Sequence, residues 1–142
     1  MRKANWILWL TVFVTLVGWL HVDGPLAQDD ARKALLGVWE GTLTQGTGSA
    51  EIRLSFSEEG DKLVWKWNVH SRRSSFQTEA EGTVMKYSAS SLEMSGHYTF
   101  HSQPRIQGSP VTMSLTVTDN RIQGTGLTAA VNRTFSLSLT RK

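Results

Sequence analysis

The stretch Leu35–Gln45, LLGVWEGTLTQ, decides the fold. Gly37, Trp39, Gly41 and Leu43 fall on one face, and Val38, Glu40, Thr42 and Thr44 fall on the other. Strict two-residue alternation marks a strand with one face in a core. An indole between two glycines predicts a large ring lying across the base of that core, with backbone close beside it.

Downstream the alternation recurs seven more times. Ala50–Ser57 sets Ile52, Leu54 and Phe56 against Glu51, Arg53 and Ser55, and Lys62–His70 gathers Leu63, Trp65, Trp67 and Val69. Phe76–Met85 presents Phe76, Thr78, Ala80, Gly82 and Val84 inward. In the next run Leu92, Met94, Gly96, Tyr98 and Phe100 alternate with Glu93, Ser95, His97, Thr99 and His101. Val111, Met113, Leu115 and Val117 follow Pro110. Arg121–Thr128 carries Ile122, Gly124 and Gly126, and Val131–Thr140 aligns Arg133, Phe135, Leu137 and Leu139. Gly-rich Gln45–Ser49, acidic Glu58–Asp61 and the pair Asp119-Asn120 supply turn chemistry between the runs. Eight evenly spaced strands predict an all-β fold. An eight-stranded antiparallel up-and-down β-barrel is favoured because closure leaves no unpaired edge. A sandwich is the alternative. Beyond one turn within Asp29–Leu36, no helical period is expected outside the leader.

That leader begins with basic Met1–Lys3, continues through uncharged Ala4–Leu20 and ends near Ala27, after Asp23, Gly24 and Pro25. The pattern predicts an N-terminal signal helix for export, with an uncleaved membrane anchor as the alternative. The expected layout is a signal over 1–27, a short polar approach over 28–36 and a barrel domain over 37–142. The protein is then periplasmic or secreted, touching a membrane only through its N-terminal segment if that segment stays attached. With no cysteine in the chain, disulfides, thiol chemistry and a lipidated-cysteine anchor are excluded. A net charge of +3 is too small for nucleic-acid binding by charge alone.

Gly37-Val38-Trp39 resembles the G-x-W of the calycin group (lipocalins, fatty-acid-binding proteins and avidins), and Arg141 stands where that group has a basic residue packed over the tryptophan. The chain looks like a compact bacterial lipocalin-like protein. The resemblance implies a ligand-binding barrel in which Gly37, Trp39 and Arg141 are structural. Strand order predicts the same pairing: in an eight-strand meander the last strand runs antiparallel to the first, so Arg141 approaches Trp39.

Following the strands up and down places Glu58, Glu59, Asp61 and Asp119 at the Trp39 end. It places Arg72, Arg73, Arg105, His70 and His101 at the far end, with Arg133 turned inward there. A basic rim over an aromatic interior suits an amphiphile with an anionic head, such as a fatty acid or lipid. The expected ligand-binding residues are Arg133, Arg72, Arg73 and Arg105 for the head, with Trp65, Trp67, Tyr98 and Phe100 lining the wall. Small inward residues such as Gly82, Gly124 and Gly126 could leave room or simply receive large neighbours. A barrel with a solid core serving as an envelope interaction module is the second reading. No catalytic motif, cofactor signature or metal site emerges; His97 and His101, four apart on one strand, are separated by roughly 13 Å. A lipid-facing outer-membrane barrel is a further rival, since it alternates too.

Overall fold

The computed structural model describes residues 25–142, with side chains from residue 28 onward. The leader expected over 1–27 therefore lies outside the described residues, except that its last three positions begin a helix. In chain order the elements are α1 (Pro25–Leu35), β1 (Gly37–Gln45), β2 (Gly48–Glu59), β3 (Lys62–His70), β4 (Gln77–Tyr87), β5 (Ser91–His101), β6 (Pro110–Thr118), β7 (Arg121–Thr128), a 3-10 turn (Ala129–Val131) and β8 (Arg133–Arg141).

The eight strands form a closed, all-antiparallel up-and-down barrel in which each strand pairs with its sequence neighbours and β8 returns to β1. The closing register sets Trp39 opposite Arg141 and Leu43 opposite Leu137. The apolar row faces inward: Trp39, Leu54, Trp65, Val69, Leu92, Val111, Ile122 and Leu139 are all buried. The outward row carries hydroxyls on β6–β8, such as Thr112, Ser114, Thr125 and Ser136, and charges such as Arg53 and Lys66 on β2 and β3. A lipid-facing barrel needs the reverse arrangement.

Small inward residues receive large neighbours. A Cβ at Gly96 would stand 2.6 Å from Trp65 Cζ2, and one at Gly126 would stand 2.2 Å from the Phe135 ring. The middle of the bore is thus packed, which answers whether the glycines leave room there.

Several expectations need correction. The polar approach over 28–36 is the greater part of a three-turn helix. Its core contact rests on Ala31 and Leu35, one turn apart, so the apolar stripe is too thin to read as a period. The last strand begins at Arg133, because Ala129–Val131 forms a 3-10 turn.

Two β-bulges shift parity. Glu79 pairs with Phe100 and Ala80 with Tyr98, leaving Thr99 as an extra residue on β5. Phe100 therefore turns outward, 40% exposed, and His101 turns inward. Likewise Val84 pairs with Met94 and Lys86 with Glu93, so Met85 is extra and exposed. Such an insertion reverses which face each later side chain takes.

Candidate functional site

The two ends of the barrel are built differently. At the Trp39 end the bore is sealed. Trp39 is fully buried, and its Nε1 donates to the Leu35 carbonyl at 2.9 Å. The Arg141 guanidinium lies 4.5 Å from the centre of the indole and donates to the Leu36 carbonyl at 3.1 Å. Gly37 takes φ +112 to turn the chain from helix into strand, a conformation that L side chains rarely adopt. Helix α1 closes this end, held by Arg32, whose Nε meets Glu58 Oε1 at 2.9 Å and whose Nη1 donates to the Asp61 carbonyl at 3.1 Å. Gly37, Trp39 and Arg141, expected to be structural, thus come together at this end.

At the far end the closure is looser in chemistry. The segment between β5 and β6 folds over the mouth and inserts Ile106, 3% exposed, as a stopper. It is anchored through its backbone: Ser102 N–H donates to the Gln77 carbonyl at 3.0 Å, and Gly108 N–H donates to the Tyr98 carbonyl at 2.8 Å. Beneath it lies a chamber of about 30 Å³ lined by Trp67, Phe76, Thr78, Tyr98, His101, Ile106, Thr128 and Phe135, with Arg133 at its edge. That volume holds two or three waters at most, since one needs about 10–15 Å³.

The chamber wall mixes aromatic faces with polar atoms. Trp67 sits at the centre, its ring centroid 5.6 Å from those of Trp65 and Phe135 and 5.9 Å from that of Tyr98. The Tyr98 hydroxyl shares a hydrogen bond of 2.7 Å with Thr128 Oγ1, and burial raises the phenol's pKa, so it stays protonated. His101 Nδ1 accepts from the Gln103 N–H at 2.9 Å, and burial lowers the imidazole's pKa, which favours the neutral ring. Trp67 Nε1, inside a side chain only 3% exposed, has no hydrogen-bond partner. It is the one such buried side-chain atom among the described residues.

Outside the chamber, a cleft of about 180 Å³ runs between the β1–β2 turn and the β3–β4 loop, lined by Gly48, Ser49, Ala50, Ser71 and Ser74. Leu43, Gln45 and Phe76 line both cleft and chamber, so the half-buried Phe76 ring stands at the partition.

Of the expected ligand-binding residues, Trp67, Tyr98 and Arg133 line the chamber, Arg133 on the inward parity of Phe135 but exposed at the rim. Trp65 is buried one layer deeper, its Nε1 donating to the Thr83 carbonyl at 3.2 Å. Phe100 lies on the outer surface. Arg72 pairs with Glu51 at 2.8 Å on the outside, beside His70 on the same carboxylate at 3.3 Å, while Arg73 and Arg105 are exposed on their loops. The structure thus brings one arginine, not four, to the chamber. Sequence reasoning did not single out Phe76, His101, Ile106 or Thr128 for the site. Ile106 carried a signal, as the one large apolar side chain within Ser102–Ser109. The bulge at Thr99 also separates the histidines, leaving His97 outside and His101 inside.

No protein-family model matches the chain, and no curated protein is significantly similar to it. Solved structures do match in fold. One is described as a redesigned beta barrel, b11L5F_LGL, at 18% identity and a TM-score of 0.63, covering 79% of this chain and 95% of that one. Another is a redesigned beta barrel, mFAP1, bound to DFHBI, at 16% identity and a TM-score of 0.59, covering 78% of this chain and 98% of the other. At these identities the likeness establishes a shared architecture alone: a closed eight-stranded antiparallel barrel.

Proposed function

We propose that this protein is a small-molecule-binding barrel rather than an enzyme, and that its ligand seats at the far end, under the Ile106 cap and against Trp67. The observation that carries this reading is the polar-aromatic chamber with an unpaired buried N–H, adjoining an outer cleft. Mouths of small barrels commonly hold one ligand. The comparable redesigned barrel bound to DFHBI supports the capacity of such a frame to take a small molecule.

The ligand is compact and amphiphilic. Chamber and cleft are closer in scale to a cavity of about 150 Å³ that takes benzene than to the larger pockets of drug-sized ligands. An apolar body enters from the cleft side, and an acidic group, where present, meets Arg133 at the rim. A long acyl chain fits this space poorly, which narrows the fatty acid or lipid expected from sequence. The basic, then uncharged, N-terminal stretch supports a place outside the cytoplasm, periplasmic or secreted.

The test is a titration of the full chain with 1-naphthoic acid and with decanoic acid, read by tryptophan emission. Saturable change with the aromatic acid is expected, weakened roughly two- to fivefold by Arg133→Ala, the weight of an exposed ion pair. No response to either compound would overturn the reading. It would favour a solid interaction module, the alternative supported by the packing of Trp65 and Phe135 against Gly96 and Gly126.

A further inference from the structure

We infer that the inner end of the ligand carries an uncharged hydrogen-bond acceptor on a flat aromatic ring, received by Trp67 Nε1. This rests on the far end being the binding site, and it adds what that site selects.

Three buried indoles in the barrel allow the comparison. Trp39 donates to the Leu35 carbonyl and Trp65 to the Thr83 carbonyl, but Trp67 donates to no protein atom. A buried polar hydrogen without an acceptor is unfavourable, and native interiors retain few of them. This one belongs to a side chain that lines the chamber. Other polar groups of the wall are committed: Tyr98 to Thr128, and His101 Nδ1 to Gln103 N–H. The neutral His101 ring keeps an Nε2–H and Thr78 a hydroxyl toward the chamber, but Trp67 Nε1 is the donor of this wall that is both fully buried and without a partner. Nε1 itself has almost no accessible surface, so an acceptor reaches it only as the surrounding far-end side chains move aside.

The shape of the wall specifies the rest. Trp67, Tyr98, Phe135, Phe76 and His101 present ring faces and edges, which suit a planar aromatic guest. No carboxylate lines the chamber, and its one cationic side chain, Arg133, stands at the exposed edge. A charge at the inner end would lie buried without a countercharge, so a carbonyl oxygen or pyridine-type nitrogen fits better than a carboxylate or an ammonium. The cap is fastened by backbone hydrogen bonds to β4 and β5, whereas Leu43, Gln45 and Phe76 line both cleft and chamber and stand between them. A guest of one or two fused rings exceeds the 30 Å³ chamber, so its body occupies the 180 Å³ cleft and only its inner edge passes a displaced Phe76.

Naphthalene and quinoline test this, because they share a shape and differ by one ring nitrogen that is uncharged at neutral pH. Binding to the full chain is measured by titration, with the indole N–H resonances followed by 1H–15N NMR. Quinoline should bind about three- to tenfold more tightly than naphthalene, the range expected for one net hydrogen bond. It alone should move the Trp67 indole proton downfield. In Trp67→Phe the preference should vanish while naphthalene still binds. Equal affinities in the unmodified protein, or a preference that survives Trp67→Phe, would overturn the acceptor assignment and leave the far end standing as a site. If neither compound binds, the site itself is wrong. Should Trp67→Phe fail to fold, the unmodified protein still decides: a downfield shift with quinoline alone supports the assignment, and the same shift with both compounds overturns it.

Discussion

The two ends of this barrel solve the same problem with opposite results. Each must close a bore lined by aromatic rings. At the Trp39 end the indole N–H finds the Leu35 carbonyl, a cation covers the ring, and a helix latched by Arg32 seals the floor. At the far end a loop inserts one isoleucine, leaving a chamber and an indole N–H with nothing to bond. A closed end serves stability. An end with unspent hydrogen-bonding capacity suits recognition, and the contrast between Trp39 and Trp67 is what places the proposed site at the far end of an otherwise filled barrel.

Substitutions should separate the ends by size of effect. Trp39→Ala removes a fully buried ring and should lower unfolding free energy by about 3–5 kcal/mol in denaturant titrations. At the other end, Thr128→Val strips the Tyr98 hydroxyl of its partner and should lower stability by about 1–3 kcal/mol, while altering ligand binding that Trp39-end changes leave alone. Arg141→Ala loses the stacking over Trp39 and should lower stability by about 0.5–2 kcal/mol without touching ligand affinity. Arg72→Ala should change stability by less than about 1 kcal/mol and affinity hardly at all, because its pair with Glu51 is exposed on the outer wall. A large loss of binding in Arg72→Ala would reopen the broader basic rim.

Acidity offers another way to sharpen the contrast. The His101 pKa is lowered from 6.5 by burial, so the unfolded chain takes up a proton before the folded one does. Stability should therefore be highest above about pH 6.5 and fall as the pH drops below it, the unfolded state binding more protons there. The loss should begin at the far end, where protonation also removes the acceptor for Gln103 N–H. Replacement by His101→Gln should flatten that slope in thermal melts between pH 7 and pH 5. An unchanged slope would show that another group carries it.

Much of this architecture was legible in side-chain parity. Lys62–His70 and Arg121–Thr128 read to the residue, because their alternation is unbroken and their turns are chemically distinct. The Trp39–Arg141 contact followed from strand order alone. Parity failed where one extra residue entered a strand. Thr99 and Met85 carry no mark of a bulge, since each is an acceptable strand residue, and each reversed the side chains after it. Unbroken alternation puts Phe100 inside and His101 outside, and the bulge reverses both. The helix Pro25–Leu35 was missed because two side chains, Ala31 and Leu35, supply its fully buried contact. Reach, rather than sequence position, took Arg72 away from the mouth: Glu51 stands across the sheet from His70 and draws the arginine outward. The open Trp67 N–H depends on three-dimensional neighbours and has no trace in the order of residues.

Two indole N–H groups, one bonded and one without a partner, distinguish the two ends most directly. Hydrogen exchange of the Trp39 and Trp67 side chains, followed by NMR in the full chain, measures the difference. The prediction is that Trp39 exchanges only when the whole barrel unfolds, while Trp67 exchanges well before that through local opening of the far end, and slows when quinoline is present. Equal protection of both indoles, unaffected by the aromatic compound, would contradict it.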